Sequence, residues 1–140
     1  MTLAALRLLK DQERRLLAGH CWIYSNEVDT RATPLKGLTP GQPVAILSHG
    51  DRWLGYAHAN PHSLICARLI SRDRSKPPSP ALWLQRLRTA LSLRERLYPQ
   101  PFYRLVFGES DGLPGLVVDR YGDLLAVQLT TAGMEQERAA

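Results

Sequence analysis

Ten consecutive positions, Ser71-Arg-Asp-Arg-Ser-Lys-Pro-Pro-Ser-Pro80, hold three prolines, three serines, three cations and one aspartate. None of these side chains can contribute to a core, and the prolines disfavour both a helix interior and a central strand. A chain of 140 residues interrupted in this way must build its cores on either side of the break. The sequence therefore predicts a first domain over residues 1–72, a linker over 73–80 and a second unit over 81–140.

Before the break the pattern is mostly strand. Leu6, Leu8 and Leu9 suggest a short opening strand; Asp11 is placed to cap a helical turn over 12–18, and Gly19 stops it. The run 44–47, the turn Ser48-His-Gly-Asp51, and the runs 53–59 and 64–70 complete a set of short strands separated by Gly, Asn and Pro. Such a segment reads as a small β-barrel-like domain.

After the break, Pro80 opens a helix that runs to Tyr98, and Pro99 and Pro101 end it. Trp83, Leu84, Leu87, Ala90, Leu91, Leu97 and Tyr98 follow a helical period, with Arg94 inside the stripe. Arg94 is expected to reach solvent along its aliphatic stem; the alternative is a carboxylate partner among Glu109, Asp111 and Asp119. Strands follow over 102–107, 116–120 and 124–129, the last two joined through Tyr121-Gly-Asp123 as a hairpin, and another helix begins at Gly133. Two or three strands and one long helix do not close a core. The fold class expected is thus mainly β, with an α+β second part that reads as unfinished.

Charge divides along the same line. Residues 1–80 hold eleven Lys/Arg against six Asp/Glu, and residues 81–140 hold seven against seven, so the whole excess of five lies in the first part. That part is the candidate polyanion-binding surface. Two isolated cysteines, Cys21 and Cys66, cannot build a disulfide framework, and no apolar run approaches membrane-spanning length. The first ten residues lack a basic leader and a cleavage site, so a cytoplasmic protein is expected.

Several local patterns invite chemistry and do not support it. Gly108-Glu-Ser-Asp-Gly-Leu-Pro-Gly115 lacks the Lys-Ser/Thr of a phosphate loop and precedes a strand where a dinucleotide site needs a helix. It reads as two turns, Asp-Gly and Pro-Gly. His58 and His62 have zinc-like spacing, yet Asn60-Pro61 breaks any helix that would align them and no second ligand pair exists. Cys66 sits in an apolar strand, and Cys21 beside His20 has no orienting acid. More suggestive are Lys10, Arg14, Arg15 and His20 around the first helical turn, with Trp22 and Tyr24 just beyond. Cations there would hold phosphates and aromatic faces would stack on bases. The competing expectation puts Trp22 and Tyr24 in the barrel core, and for Trp22 it is the favoured one.

Three runs then carry a resemblance: Arg14-Arg-Leu-Leu-Ala-Gly-His-Cys-Trp-Ile-Tyr-Ser-Asn-Glu27, Gly55-Tyr-Ala-His-Ala-Asn-Pro-His-Ser63 and Tyr103-Arg-Leu-Val-Phe-Gly-Glu-Ser-Asp-Gly-Leu-Pro-Gly-Leu-Val-Val-Asp-Arg-Tyr-Gly-Asp123. In this order they closely resemble the ribosomal-RNA large subunit methyltransferase I family, whose members make 5-methylcytosine with S-adenosylmethionine. The resemblance implies a PUA domain, a small RNA-binding β-barrel, over residues 1–72, and the beginning of an α/β middle domain after the linker. It also implies that the Rossmann-like domain, which holds the methyl donor and the catalytic cysteine, is absent from these 140 residues. No catalytic, cofactor or metal residue carries over, and Cys21 stands where relatives commonly have proline. By the PUA resemblance RNA contacts the first helix and neighbouring strand edges, making Lys10, Arg14, Arg15, His20, Ser25, Arg68 and Arg72 the candidates. Lys and Arg would position phosphates, and His20 or Ser25 would meet sugar or base edges. The expectation is the RNA-binding N-terminal portion of such an enzyme, with ribosomal RNA as partner and self-association through the unfinished second unit. The alternative is a stand-alone RNA- or protein-interaction module without catalytic activity.

Overall fold

A computed structural model describes residues 3–140, which divide into two compact units, one ending at Pro78 and the other Ser79–Ala140. The first carries β1 (Ala4–Arg7), α1 (Glu13–Leu17), β2 (Trp22–Tyr24), β3 (Pro43–Leu47), β4 (Trp53–Ala59) and β5 (Ile65–Ser71). The strands form one sheet in the order β1-β3-β4-β5-β2, with β1 and β3 parallel and the other neighbours antiparallel. Beyond β2 the chain turns back to β1: Leu9 N donates to Glu27 O and Asp29 N to Arg7 O, both at 2.9 Å, flanking a Leu8–Val28 bridge. The sheet thus closes on itself as a small barrel, which leaves no long unpaired edge.

Strand alternation fills the interior. Val44 and Ile46 are fully buried between the outward Pro43, Ala45 and Leu47, and Leu6, Leu8, Ile23, Ala57, Cys66 and Leu69 join them. Leu16 is the one buried side chain of α1 and fastens that helix to the barrel. Gly55 is required where β4 and β5 approach closely: a Cβ there would lie 2.6 Å from the Ser71 carbonyl oxygen and 2.7 Å from Leu69 Cδ1.

Asp11 does not cap α1. It adopts a left-handed φ of 65°, and Gln12 occupies the N-cap without a side-chain hydrogen bond. The Asp11 carboxylate instead meets Arg14 at 3.1 Å. Gly19, at φ 106°, ends the helix as expected.

In the second unit Ser79 caps α2 (Pro80–Leu97), its Oγ accepting from Leu82 N at 3.3 Å, and Pro80 starts the helix where its missing N–H costs nothing. Next come β6 (Phe102–Phe107), β7 (Leu116–Tyr121), β8 (Leu124–Leu129) and α3 (Ala132–Gln136), the strands forming an antiparallel sheet in the order β6-β7-β8. Leu82, Trp83, Ala90, Val106, Leu113, Leu116, Val118 and Met134 are buried. Of the stripe expected to face the core, Leu84, Leu97 and Tyr98 are exposed. So are Leu124, Leu125 and Val127 on β8, and a groove of about 670 Å³ lies along Trp83, Leu84, Leu87, Leu125, Val127 and Met134.

Arg94 departs from expectation in an instructive way. Rather than reaching solvent, it donates from Nη1 and Nη2 to Asp111 Oδ1 and Oδ2 at 2.5 and 2.9 Å, and from Nε to the Arg104 carbonyl at 3.1 Å. Only 13% of the Arg94 side chain and 7% of Asp111 is exposed. The turn Gly108–Asp111 brings the carboxylate under α2, so pairing replaces an unfavourable exit path. Among the described residues no helix is long and apolar enough to cross a membrane.

Candidate nucleic-acid interface

Antiparallel pairing decides which side chains of the barrel face outward together. Trp22 stands opposite Arg68, and Arg68 opposite His58, so one row crosses β2, β5 and β4; Trp22 is exposed and Arg68 half-buried, whereas His58 at the β4 end is buried. The next row, Ile23, Ala67 and Ala59, points inward, each residue 1% exposed. Trp22 is consequently not a core residue. It is 38% exposed, and the Arg68 guanidinium lies over its ring at 5.2 Å from the centroid. Its expected burial assumed inward register, and a one-residue change of register reverses the face.

Two residues on, Tyr24 repeats the arrangement. The Arg15 guanidinium covers its ring at 5.2 Å while Arg15 Nη1 meets Glu27 Oε1 at 3.1 Å. Glu27 is itself buried and its other oxygen accepts the Tyr24 amide at 2.7 Å. Each such cation–aromatic stack is worth roughly 0.5–1 kcal/mol at an exposed site. Stacking also holds a guanidinium flat, with its edge donors directed away from the ring.

Arg72 joins the end of β5 to α1. Its Nη1 donates to the Leu16 carbonyl at 2.7 Å and its Nη2 to the His20 carbonyl at 2.8 Å. These are carbonyls at the end of the helix, where a cation also opposes the helix dipole. Arg72 therefore fixes the exposed loop that carries His20. Lys10 and Arg14 are exposed on either side of Asp11, with Arg14 bonded to it. Ser25 is half-buried at the far end of β2, its amide donating to the Leu64 carbonyl at 2.9 Å.

The fold thus sets Arg68 on Trp22 and Arg15 on Tyr24, ties Arg72 to the loop that carries His20, and leaves Lys10 and Arg14 on the neighbouring helical turn. Sequence reasoning missed Glu27, whose carboxylate orients Arg15; a lone acid within a basic region was its only signal. It also missed that Arg72 is engaged with backbone.

Among the described residues no group of three or more His, Cys, Asp or Glu is placed to hold a metal ion. Burial pushes the Cys66 thiol up to about 11, so it stays protonated at neutral pH. The Cys21 Sγ lies 3.8 Å from the Gly19 carbonyl oxygen. Near the end of the unit, Asp73 is held below the usual carboxylate range, chiefly by the Ser75 hydroxyl and amide and less by Lys76.

Comparison with known proteins bears on the same region. Residues 6–72 match the family described as PUA-like domain. Over 139 residues the chain is 40% identical to ribosomal RNA large subunit methyltransferase I of Salmonella arizonae and 37% identical to the protein of that name from Cronobacter sakazakii. Both alignments take in 96% of this chain but 34% of the relative, so the chain spans about a third of their length. Among solved structures, a chain described as a SAM-dependent methyltransferase from Streptococcus mutans superposes with a TM-score of 0.80 at 19% identity, over 98% of this chain and 35% of that one. A second methyltransferase, solved in complex with SAH, gives 0.78 at 19% identity, over 99% and 35%. At that identity the likeness is one of fold.

Proposed function

We propose that this chain, which belongs to the ribosomal RNA large subunit methyltransferase I family and carries a PUA-like domain in residues 6–72, grips ribosomal RNA through the outer face of α1, β2 and β5. The observation that carries the reading is the set of arginines at two outward aromatics, Arg68 on Trp22 and Arg15 on Tyr24, beside a loop carrying His20 that Arg72 pins. Lys10, Arg14 and Arg68 contact phosphates, and His20 and Ser25 meet sugar or base edges. Arg15 and Arg72 chiefly hold this surface in shape, because both are committed to partners within the barrel.

In this reading the enzyme transfers a methyl group from S-adenosylmethionine to carbon 5 of a cytosine in large-subunit ribosomal RNA, in the cytoplasm. That chemistry needs a thiolate that adds to the ring and a base extruded from its helix. The described residues do not fit the methyl donor. The glycine-rich segment 108–115 is a tight turn whose Asp111 is occupied by Arg94, and a strand follows it in place of a phosphate-facing helix. Nor does Cys66, buried and protonated, suit the nucleophile. The face described here supplies affinity and register to a reaction carried out elsewhere.

Filter binding of the chain to ribosomal RNA across a salt series tests the proposal. Affinity should fall steeply with salt, and Lys10→Ala and Arg14→Ala should each flatten the log–log slope by about 0.7–0.9. Equal affinity for a charge-matched non-nucleic polyanion would refute recognition of RNA.

A further inference from the structure

Trp22 is placed in a way that phosphate gripping alone does not explain. A tryptophan on the outer row of a short strand leaves apolar surface in water, and the neighbouring strand lays the Arg68 guanidinium over the ring. Stacking takes up the neighbourhood of one ring face, while 38% of the residue stays accessible. The exposed His20 precedes Trp22 by two positions, and the Arg72 guanidinium binds that residue's carbonyl. The site therefore combines an aromatic plane, a guanidinium beside it, and a second arginine tied to the adjoining loop.

We infer that Trp22 is a stacking platform for an unpaired nucleobase, so that the RNA gripped by this face presents at least one nucleotide outside a helix. The inference rests on the RNA-binding reading above and narrows it. In an A-form duplex the bases are stacked on one another, and side chains reach the helix through backbone and shallow-groove contacts. An indole has nothing to stack on there. An unpaired base offers a free π-face of any identity, and base–aromatic stacking is tolerant of sequence. The order of layers would be guanidinium, indole, base, with Arg68 and His20 meeting the phosphates on either side of the stacked nucleotide. Arg68 acts on both parts of the ligand, polarising the indole from one side and meeting phosphate with its edge donors.

The test uses the 140-residue chain and two RNA hairpins, one with a single bulged 2-aminopurine and one fully paired but otherwise identical. The chain should bind the bulged hairpin more tightly and quench 2-aminopurine fluorescence on binding. Trp22→Leu should weaken binding to the bulged hairpin by roughly 5- to 100-fold and abolish the quench, and should weaken binding to the paired hairpin by a smaller factor, the part due to a displaced Arg68. Trp22→Phe keeps a smaller ring and should retain part of both preference and quench, which separates lost stacking from a disturbed barrel. Equal weakening of both hairpins by Trp22→Leu, or none, overturns the inference while leaving RNA binding intact. Failure of the unmodified chain to bind either RNA overturns both this inference and the reading beneath it.

Discussion

At the scale of single residues, the same ionic chemistry has different weight according to where it lies. Asp111 accepts both ends of the Arg94 fork and also the Phe107 amide at 2.7 Å, beneath a helix that hides the pair from water. Removing the carboxylate strands a buried guanidinium and an amide together, so Asp111→Ala should cost about 3–5 kcal/mol in urea unfolding. The pair formed by Glu135 and Arg138 has 50% and 69% of its side chains exposed, and Glu135→Ala should leave the urea midpoint unmoved. Cys66 gives a prediction in pH. Burial raises its thiol from 9.0 to about 11, so the unfolded chain loses this proton first as pH rises. Its contribution to stability is complete below pH 9 and disappears between about 9 and 11. Unfolding measured at the two ends of that window should show Cys66→Ala losing less stability than the parent chain, by about 2 kcal/mol.

At the scale of elements, α1 is the weak member of the site. It is five residues long, has no side-chain cap at its start, and buries only Leu16. A helix so short has little stability of its own, so Arg72, which ties its last carbonyls to β5, should matter disproportionately. Arg72→Ala should cost about 1 kcal/mol and speed hydrogen exchange of the α1 and His20 amides, while β3 and β4 amides are unaffected. The sequence showed this element's existence and its glycine stop, because periodicity and φ preference are local. Strands β3, β4 and β5, the helix start at Pro80 and the Tyr121–Asp123 hairpin were legible for the same reason. What stayed hidden depends on residues far apart in the chain. Trp22 faces outward because of its register with Arg68, and Arg94 finds Asp111 because a later turn folds under α2. Asp11 looked like a cap until its backbone took a left-handed conformation. The candidate cations were legible as a cluster in composition and order; their division into surface contacts and internal braces was not, since Arg72 and Arg15 are distinguished only by their partners.

At the scale of the whole molecule, the two units divide both charge and stability. The basic excess belongs wholly to residues 1–80, which hold the closed barrel and its cations, while residues 81–140 are balanced. The barrel closes its sheet around a contiguous core that runs from Leu6 to Leu69. The second unit has an open three-stranded sheet, a shorter set of buried side chains, and a β8 whose Leu124 is 73% exposed. Apolar burial scales with the area removed from water, so the second unit has less to set against its chain entropy. It should unfold at lower urea than the barrel. Two probes separate them: α2 supplies most of the helical far-ultraviolet signal and reports the second unit, whereas labelling of Cys66 reports opening of the barrel. Helix loss should precede Cys66 labelling, and coincident transitions would show instead that the chain unfolds as one body. The exposed face of β8 also predicts that the intact chain self-associates with rising concentration, through apolar side chains beside an unpaired strand edge. Sedimentation velocity should show a concentration-dependent larger species, suppressed by Leu125→Lys and Val127→Lys because charge on that face cannot be buried against a second copy. Neither residue belongs to the barrel, so RNA affinity should persist in the monomer. Loss of RNA binding together with loss of association would mean that the grip on RNA belongs to the assembled form.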